Sequence, residues 1–221
     1  GSALVNIGQV EKSLPFLNQA EAAFRRTGDW ANLARVLSHR ATAYRLLGKY
    51  QEALNDGKEA IALEEKKPTQ RYILAEANRA MGMCLYHLGQ LETAVSHWQK
   101  SLQLYQAFGY QQSTALVNME LGMCWMAMGS YRQALEHYEK ALSYWRSVNN
   151  TSRLPYVLNN MGVMYHLIGE YLQANRLFDD ALVFARQAGM SRVEAYTLCS
   201  IGDLYVELGE EAAARDAYQQ A

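Results

Sequence analysis

The sequence is poor in several things at once, and each shortage excludes something. Three cysteines stand in 221 residues, an odd count with no CxxC spacing. That argues against a disulfide framework and offers no zinc pattern, so Cys84, Cys124 and Cys199 read as small apolar residues of a reducing compartment. Prolines number only three, and β-branched residues are sparse beside Ala, Leu, Gln and Glu, a balance that favours helix over strand. Charge of one sign is lacking too: 21 Lys and Arg against 22 Asp and Glu give a formal net charge of −1. A dedicated phosphate-backbone binder would carry a basic excess. The longest nearly apolar run, Leu121 to Gly129, is nine residues, against the roughly 18 that a membrane span needs. These 221 residues contain no charged-then-apolar leader with a small-residue cleavage site, so no signal peptide is expected and the sequons at Asn149 and Asn150 are given no weight. What is plentiful is apolar surface: half the residues are hydrophobic, enough for a sizeable core and too many for a disordered chain.

Those residues repeat. Glycines fall at Gly8, Gly48, Gly89, Gly129, Gly169 and Gly209, in steps of 40, 41, 40, 40 and 40. Two residues later come Val10, Tyr50, Leu91, Tyr131 and Tyr171, with Glu211 breaking the pattern. Five residues later stand Ser13, Ala53, Ala94, Ala134, Ala174 and Ala214, and twelve later Ala20, Ala60, Ser101, Ala141, Ala181 and Ala221. Four columns agreeing over six periods mark an internal repeat. Within a period the apolar positions run at helical spacing, as in Tyr131, Ala134, Leu135, Tyr138, Ala141, Leu142 and Trp145. The glycine between two such runs suits a left-handed C-cap, where a helix stops and turns back. Second helices end likewise at Gly28, Gly109, Asn149 and Gly189, with Pro68 in the remaining place, while the small residues allow close antiparallel pairing.

This predicts first helices over about 33–47, 73–88, 113–128, 153–168 and 193–208, and second helices over about 10–26, 50–66, 91–108, 131–147, 171–187 and 211–221. Pro155 sits at a helix start, and Pro15 predicts a kink or a late start in the first helix. The fold class is all-α, a solenoid of stacked antiparallel helix pairs forming one domain over 1–221. Repeat boundaries fall near 1–30, 31–70, 71–111, 112–151, 152–191 and 192–221.

These residues resemble the tetratricopeptide repeat, whose signature runs W-x2-L-G-x2-Y and then A-x3-F. The match reads Leu158, Met161, Gly162, Tyr165, Ala174 and Phe178 in one repeat and Asn118, Leu121, Gly122, Trp125, Ala134 and Tyr138 in another. It recurs as Asn78, Met81, Gly82, Leu85, Ala94 and Trp98, and as Leu198, Ile201, Gly202, Tyr205, Ala214 and Tyr218. Two departures stand: a period near 40 rather than 34, and no closing proline. The longer period is similar to that of sensor domains in bacterial signal-transduction ATPases, including maltose-type transcriptional activators, and to repeats of eukaryotic scaffold proteins and kinesin light chains. The resemblance implies a right-handed superhelix whose first helices line a concave binding face. The chain opens and closes inside helical segments, and Gly1-Ser2 looks like a cloning remnant. The expectation is a piece of a longer protein that keeps any catalytic or DNA-binding domain elsewhere.

Chemistry is hard to find. No phosphate loop, dinucleotide fingerprint, HExxH or GxSxG occurs. His97 and His137 share one repeat position and read as solvated residues of outer helices rather than a metal pair. No catalysis, metal or cofactor is expected. Binding is another matter. Carried over position by position, the family's concave row implies Arg35, Arg45, Arg79, Met83, Tyr86 and His87, then Met119, Met123 and Met126, then Tyr156, Asn159, His166 and Tyr196. Along it a basic end passes through a methionine-rich middle to an acidic end. The methionines line either an open groove or a helix–helix contact. Ser38 and Thr42 replace the Lys and Asn of the family's chaperone-tail clamp, which counts against that partner. The leading expectation is a protein or peptide interaction module, the sensor or scaffold part of a cytoplasmic bacterial regulator, with no direct nucleic-acid or membrane partner. A small-molecule sensor using Tyr86, Trp125, Tyr156 and Tyr196 for a sugar-like inducer is the alternative, and structural self-association another. Contacts to other domains of the same full-length chain are also expected.

Overall fold

The computed structural model describes the backbone of residues 2–66 and 71–221, and side chains from residue 9 onward within that range. Its element order is α1 (Ser2–Thr27), α2 (Trp30–Leu46), α3 (Tyr50–Lys66), α4 (Arg71–His87), α5 (Leu91–Ala107), α6 (Gln111–Ala127), α7 (Tyr131–Ser147), α8 (Leu154–Leu167), α9 (Tyr171–Gln187), α10 (Ser191–Glu207) and α11 (Glu211–Gln220). No strand occurs among the described residues. The chain divides into two compact units, Gly1–Glu120 and Leu121–Ala221. In the first, α2 packs on α3 and α4 on α5, with α3 against α4 and α1 against α2. In the second, α8 pairs with α9 and α10 with α11, with α9 against α10 and α7 against α8. This is the all-α helix-pair solenoid that the repeat predicts.

Second helices at 50–66, 131–147 and 171–187 fall as the periodicity places them, while most first helices begin two or three residues early. The turn glycines explain why the ends are so regular. Gly129 has φ +73°, a backbone conformation open to glycine at no steric cost. The following Ser130 N–H reaches back to the Trp125 carbonyl at 2.8 Å, satisfying an orphan acceptor of α6. Asn149 takes the same role at φ +50°, with Asn150 N–H on the Trp145 carbonyl at 2.9 Å. Asp29 caps α2, accepting from the Asn32 N–H at 3.2 Å. The first repeat departs from expectation. Helix α1 runs unbroken through Gly8 and through Pro15, so Gly8 is no turn and the helix starts early instead of late. The helical preference of the surrounding residues outweighs one glycine and one lost proline N–H bond. Pro68 lies outside the described residues.

The repeat is held by a size-matched contact. At each signature glycine an added methyl would strike a ring sixteen residues on: Gly82 against Trp98 at 2.7 Å, Gly122 against Tyr138 at 2.6 Å, Gly162 against Phe178 at 2.5 Å. Trp98, Tyr138 and Phe178 are fully buried, so the glycine is the space that the ring occupies. The second repeat reverses the sizes. Ala41 replaces the glycine and Gly57 replaces the ring, and a methyl on Gly57 would lie 2.7 Å from Cγ of Met81, whose side chain fills the vacated volume. Around Phe178 the core gathers Leu182, Leu198, Ile201 and Leu204. In the first unit Leu33, Leu37, Ala60 and Ala77 form a smaller cluster.

Candidate interaction surface

In the first unit the row positions of α2 and α4 come together, since those helices pack side by side. Arg35 is exposed and bonds only its own helix, donating to Asn32 Oδ1 at 2.6 Å. Half-buried Arg79 grips Glu120 with a fork of 2.6 to 3.0 Å. Glu120 is 6% exposed. Burial pushes its carboxyl above the usual carboxylate range, with the Arg79 fork opposing, while Arg79 itself is pushed further up by that partner despite its own burial. Glu76 accepts a hydrogen bond from the buried Tyr105 hydroxyl. Burial first, then the Glu76 charge, raises the Tyr105 phenol. Thr42, Arg45, Glu76, Arg79, Ala80, Met83 and Glu120 enclose a cleft of about 30 Å³. Near its end His87 stacks on Tyr50 at 5.0 Å between ring centres and meets Tyr86 edge-on at 5.7 Å. Burial, then the Arg45 charge, holds the His87 imidazole below its ordinary value.

The basic end anticipated from the row is therefore half spent. Glu120 is the residue that sequence reasoning missed. Its signal was available, because it is the sole charge in α6 and stands 41 residues, one period, after Arg79. Met119 is buried, which takes it out of an open row and into packing, whereas Met83, Met123 and Met126 are half-buried.

The second unit carries the aromatic part of the row. Tyr156 and Tyr196, at equivalent positions of α8 and α10, are 39% and 51% exposed. Arg192, one turn before Tyr196, lies over its ring at 5.4 Å and donates to its hydroxyl at 2.8 Å. Asn159 is half-buried, and its Oδ1 is shut from solvent with no hydrogen-bond partner. His166 is half-buried rather than open: its Nε2 lies 3.0 Å from Glu207 without hydrogen-bond alignment, and its ring meets Tyr171 edge-on at 6.0 Å. Trp125, which fills the aromatic column of the repeat signature, is half-buried.

Away from the row, a larger open cleft of about 560 Å³ lies among α7, α8 and α9, lined by Glu139, Leu142, Arg146, Met161, Tyr165 and Gln173. His97 and His137 correct another expectation. Both are half-buried, and burial holds both below the ordinary imidazole value. Asn78 explains His97: its Oδ1 lies 2.9 Å from the His97 Nδ1, while its amide donates to the Leu74 carbonyl at 2.8 Å. Among the described residues no His, Cys, Asp and Glu cluster could hold a metal ion, and no helix is long and apolar enough to cross a membrane.

Known proteins share this architecture. The sensor-bearing signal transduction ATPase with numerous domains from Pyrococcus horikoshii superposes with a TM-score of 0.79 at 16% identity, covering 97% of this chain and 34% of that one. A Rap protein complexed with competence and sporulation factor gives 0.72 at 14% identity, covering 99% and 75%. At these identities the likeness is one of fold. Among curated proteins, human protein O-mannosyl-transferase TMTC1 is 35% identical over 80 residues, 36% of this chain and 9% of that protein's length. The tetratricopeptide repeat model itself matches residues 1–66, 73–147, 111–187 and 153–221. With the helix pairs, the turn residues and the glycine–ring contacts in agreement, the chain belongs to the tetratricopeptide repeat family.

Proposed function

We propose that the chain is a non-catalytic module that binds a protein or peptide partner along the row of first-helix side chains. The carrying observation is that this row leaves Tyr156 and Tyr196 open above a closed core. Large aromatic side chains at such positions supply most of the energy of an interface. The six repeats act as one domain over 1–221 with the boundaries given by the period, and the concave face of the superhelix is the binding face. Support for a sensor or scaffold role in a larger cytoplasmic bacterial regulator comes from the fold shared with a repeat sensor and with a Rap protein that holds a factor. The test is to select binders from a random peptide library and titrate them against Tyr156→Ala/Tyr196→Ala. Both side chains are exposed, so the variant should fold. A loss of about tenfold or more supports the row, and unchanged affinity removes it.

The cleft among α7, α8 and α9 favours a second reading, a small-molecule sensor. Its volume of about 560 Å³ falls within the range of ligand pockets, about 300–1,000 Å³. Tyr165 offers a ring, and Glu139, Arg146 and Gln173 offer polar groups. A thermal-shift screen with sugars discriminates, because a ligand that binds only the folded chain raises its melting temperature. Protection lost in Arg146→Ala would assign the ligand to this cleft.

A further inference from the structure

Arg45 and Arg79 share the cleft between α2 and α4, but their circumstances differ. Arg79 is committed to Glu120 through two parallel hydrogen bonds. Arg45 has no ion-pair or hydrogen-bond partner among the described residues, although it is half-buried. A guanidinium carries five donors and stays protonated, so the donors of Arg45 are left for an acceptor from outside the chain. Its surroundings add to this. Burial, then repulsion by Arg79, disfavours the charge at Arg45, and Glu120 offsets this only in part. Glu76 is occupied elsewhere, accepting from the Tyr105 hydroxyl. On the other side Arg45 depresses His87, a further sign that the two groups feel each other. The cleft therefore holds two arginines and two carboxylates, and both carboxylates are engaged, Glu120 by Arg79 and Glu76 by Tyr105, so neither is bonded to Arg45.

The size of the cleft limits what can enter. Its volume of about 30 Å³ is two to three times the ~10–15 Å³ that one ordered water occupies. That suits the two oxygens of a carboxylate, and it is far below the roughly 300 Å³ at which ligand pockets begin. A whole metabolite does not fit, but a side-chain tip presented by a larger molecule does. Ala80 and the Met83 thioether form an apolar wall for the methylenes of such a side chain. The Thr42 hydroxyl donates to the Ser38 carbonyl at 3.1 Å and is not free for the ligand. A chain-terminal carboxylate, which calls for a ring of donors, finds one guanidinium here.

We propose that this cleft takes the side-chain carboxylate of a glutamate or aspartate inside a partner polypeptide, with Arg45 as its anchor. The proposal rests on the interaction-module reading and adds an acidic residue to the partner's chemistry. Arg45 contributes affinity and register, and Arg79 with Glu120 forms the rigid back of the cleft.

The test has two arms. In the first, the Nε–Hε NMR resonances of the intact chain are followed during addition of N-acetylglutamate amide. Arg45 should shift saturably and Arg79, held in its fork, should not; an unmoved Arg45 overturns the proposal. In the second, short fluorescein-labelled peptides with amidated ends carry one glutamate walked through a Gln, Leu and Ala background, each paired with its glutamine twin. At low ionic strength the best glutamate peptide should bind about tenfold tighter than its twin. Arg45→Gln should erase that preference with an unchanged melting curve, and Arg45→Lys should restore part of it. Equal binding of both twins overturns the carboxylate while leaving the interaction module standing. A preference that survives Arg45→Gln, or one seen only when the peptide end is a free acid, overturns the assignment to Arg45 or to a side chain. Binding of no peptide at all counts against the interaction module as well.

Discussion

Replacing Gly162 by alanine should destabilise the protein, although helix propensity argues the opposite. In an exposed helix the change would gain about 1 kcal/mol from reduced backbone entropy. Here the new methyl would lie 2.5 Å from Cε1 and 2.6 Å from Cδ1 of Phe178, about 1 Å inside ordinary carbon–carbon contact. The ring cannot retreat freely, since Phe178 is fully buried among Leu182, Leu198 and Ile201. Overpacking of this kind costs about 1–3 kcal/mol, and the tightness of the contact favours the upper end. The net loss is then about 2 kcal/mol, or about 4–8 °C in melting temperature for a chain of this size. Gly202→Ala is the internal control. Its methyl would come within 2.4 Å of Tyr218, but that ring is 42% exposed and tied down only by an exposed hydrogen bond to Asp203. Tyr218 can swing aside, so Gly202→Ala should stay within about 0.5 kcal/mol of the parent. Urea unfolding monitored by circular dichroism gives both values, and Phe178→Leu in the Gly162→Ala background should recover much of the loss. Equal stability of the two alanine variants, or a stabilised Gly162→Ala, would refute the claim that the ring contact sets the column.

Three further outcomes follow from groups away from that column. Glu120→Ala strands the half-buried Arg79 charge and should cost about 3 kcal/mol, whereas Arg79→Met/Glu120→Leu should be close to neutral, a contrast that a double-mutant cycle in urea reads directly. His97 and His137 are held below their ordinary value by burial, so between that depressed value and 6.5 the unfolded chain binds more protons than the folded one. Their contribution to stability is present above 6.5 and lost as pH falls through the folded value; the urea midpoint should drop from pH 7.5 to pH 5.5, and less steeply in His97→Gln/His137→Gln. Burial pushes the Cys84 thiol up to about 11, and Cys124 is buried as well while Cys199 is exposed; Ellman's reagent should therefore titrate one thiol in the native chain and three in urea, Cys199→Ser removing the native signal.

The repeat made the fold legible because turn glycines, small residues and rings each answer to one local requirement, and each recurs at a fixed distance. Asn149 in a left-handed cap could be read from its place in the glycine column, and so could the 50–66, 131–147 and 171–187 helices. The failures share a cause: a column position says which way a side chain faces, not which neighbour satisfies it. Gly8 sits in the column yet lies within α1, because the helical preference of its neighbours outweighs one glycine. His97 was assigned to solvent because its helix is an outer one, but Asn78 of the preceding helix supplies a partner that draws the ring in. Arg45 and Arg79 looked alike as two cations of one row. The lone charge of α6 divides them: Glu120 occupies Arg79 and leaves Arg45 with its donors open. Since repeated residues maintain the scaffold by agreeing from copy to copy, the proposed binding role assigns discrimination between partners to the positions where the copies disagree. The row gives Arg45, Tyr86, Met126, His166 and Val206 at one such position and Ser38, Arg79, Met119, Asn159 and Cys199 at another. On that proposal a partner matching the irregular series would be held in one register, whereas a regular series would let it slide by a repeat.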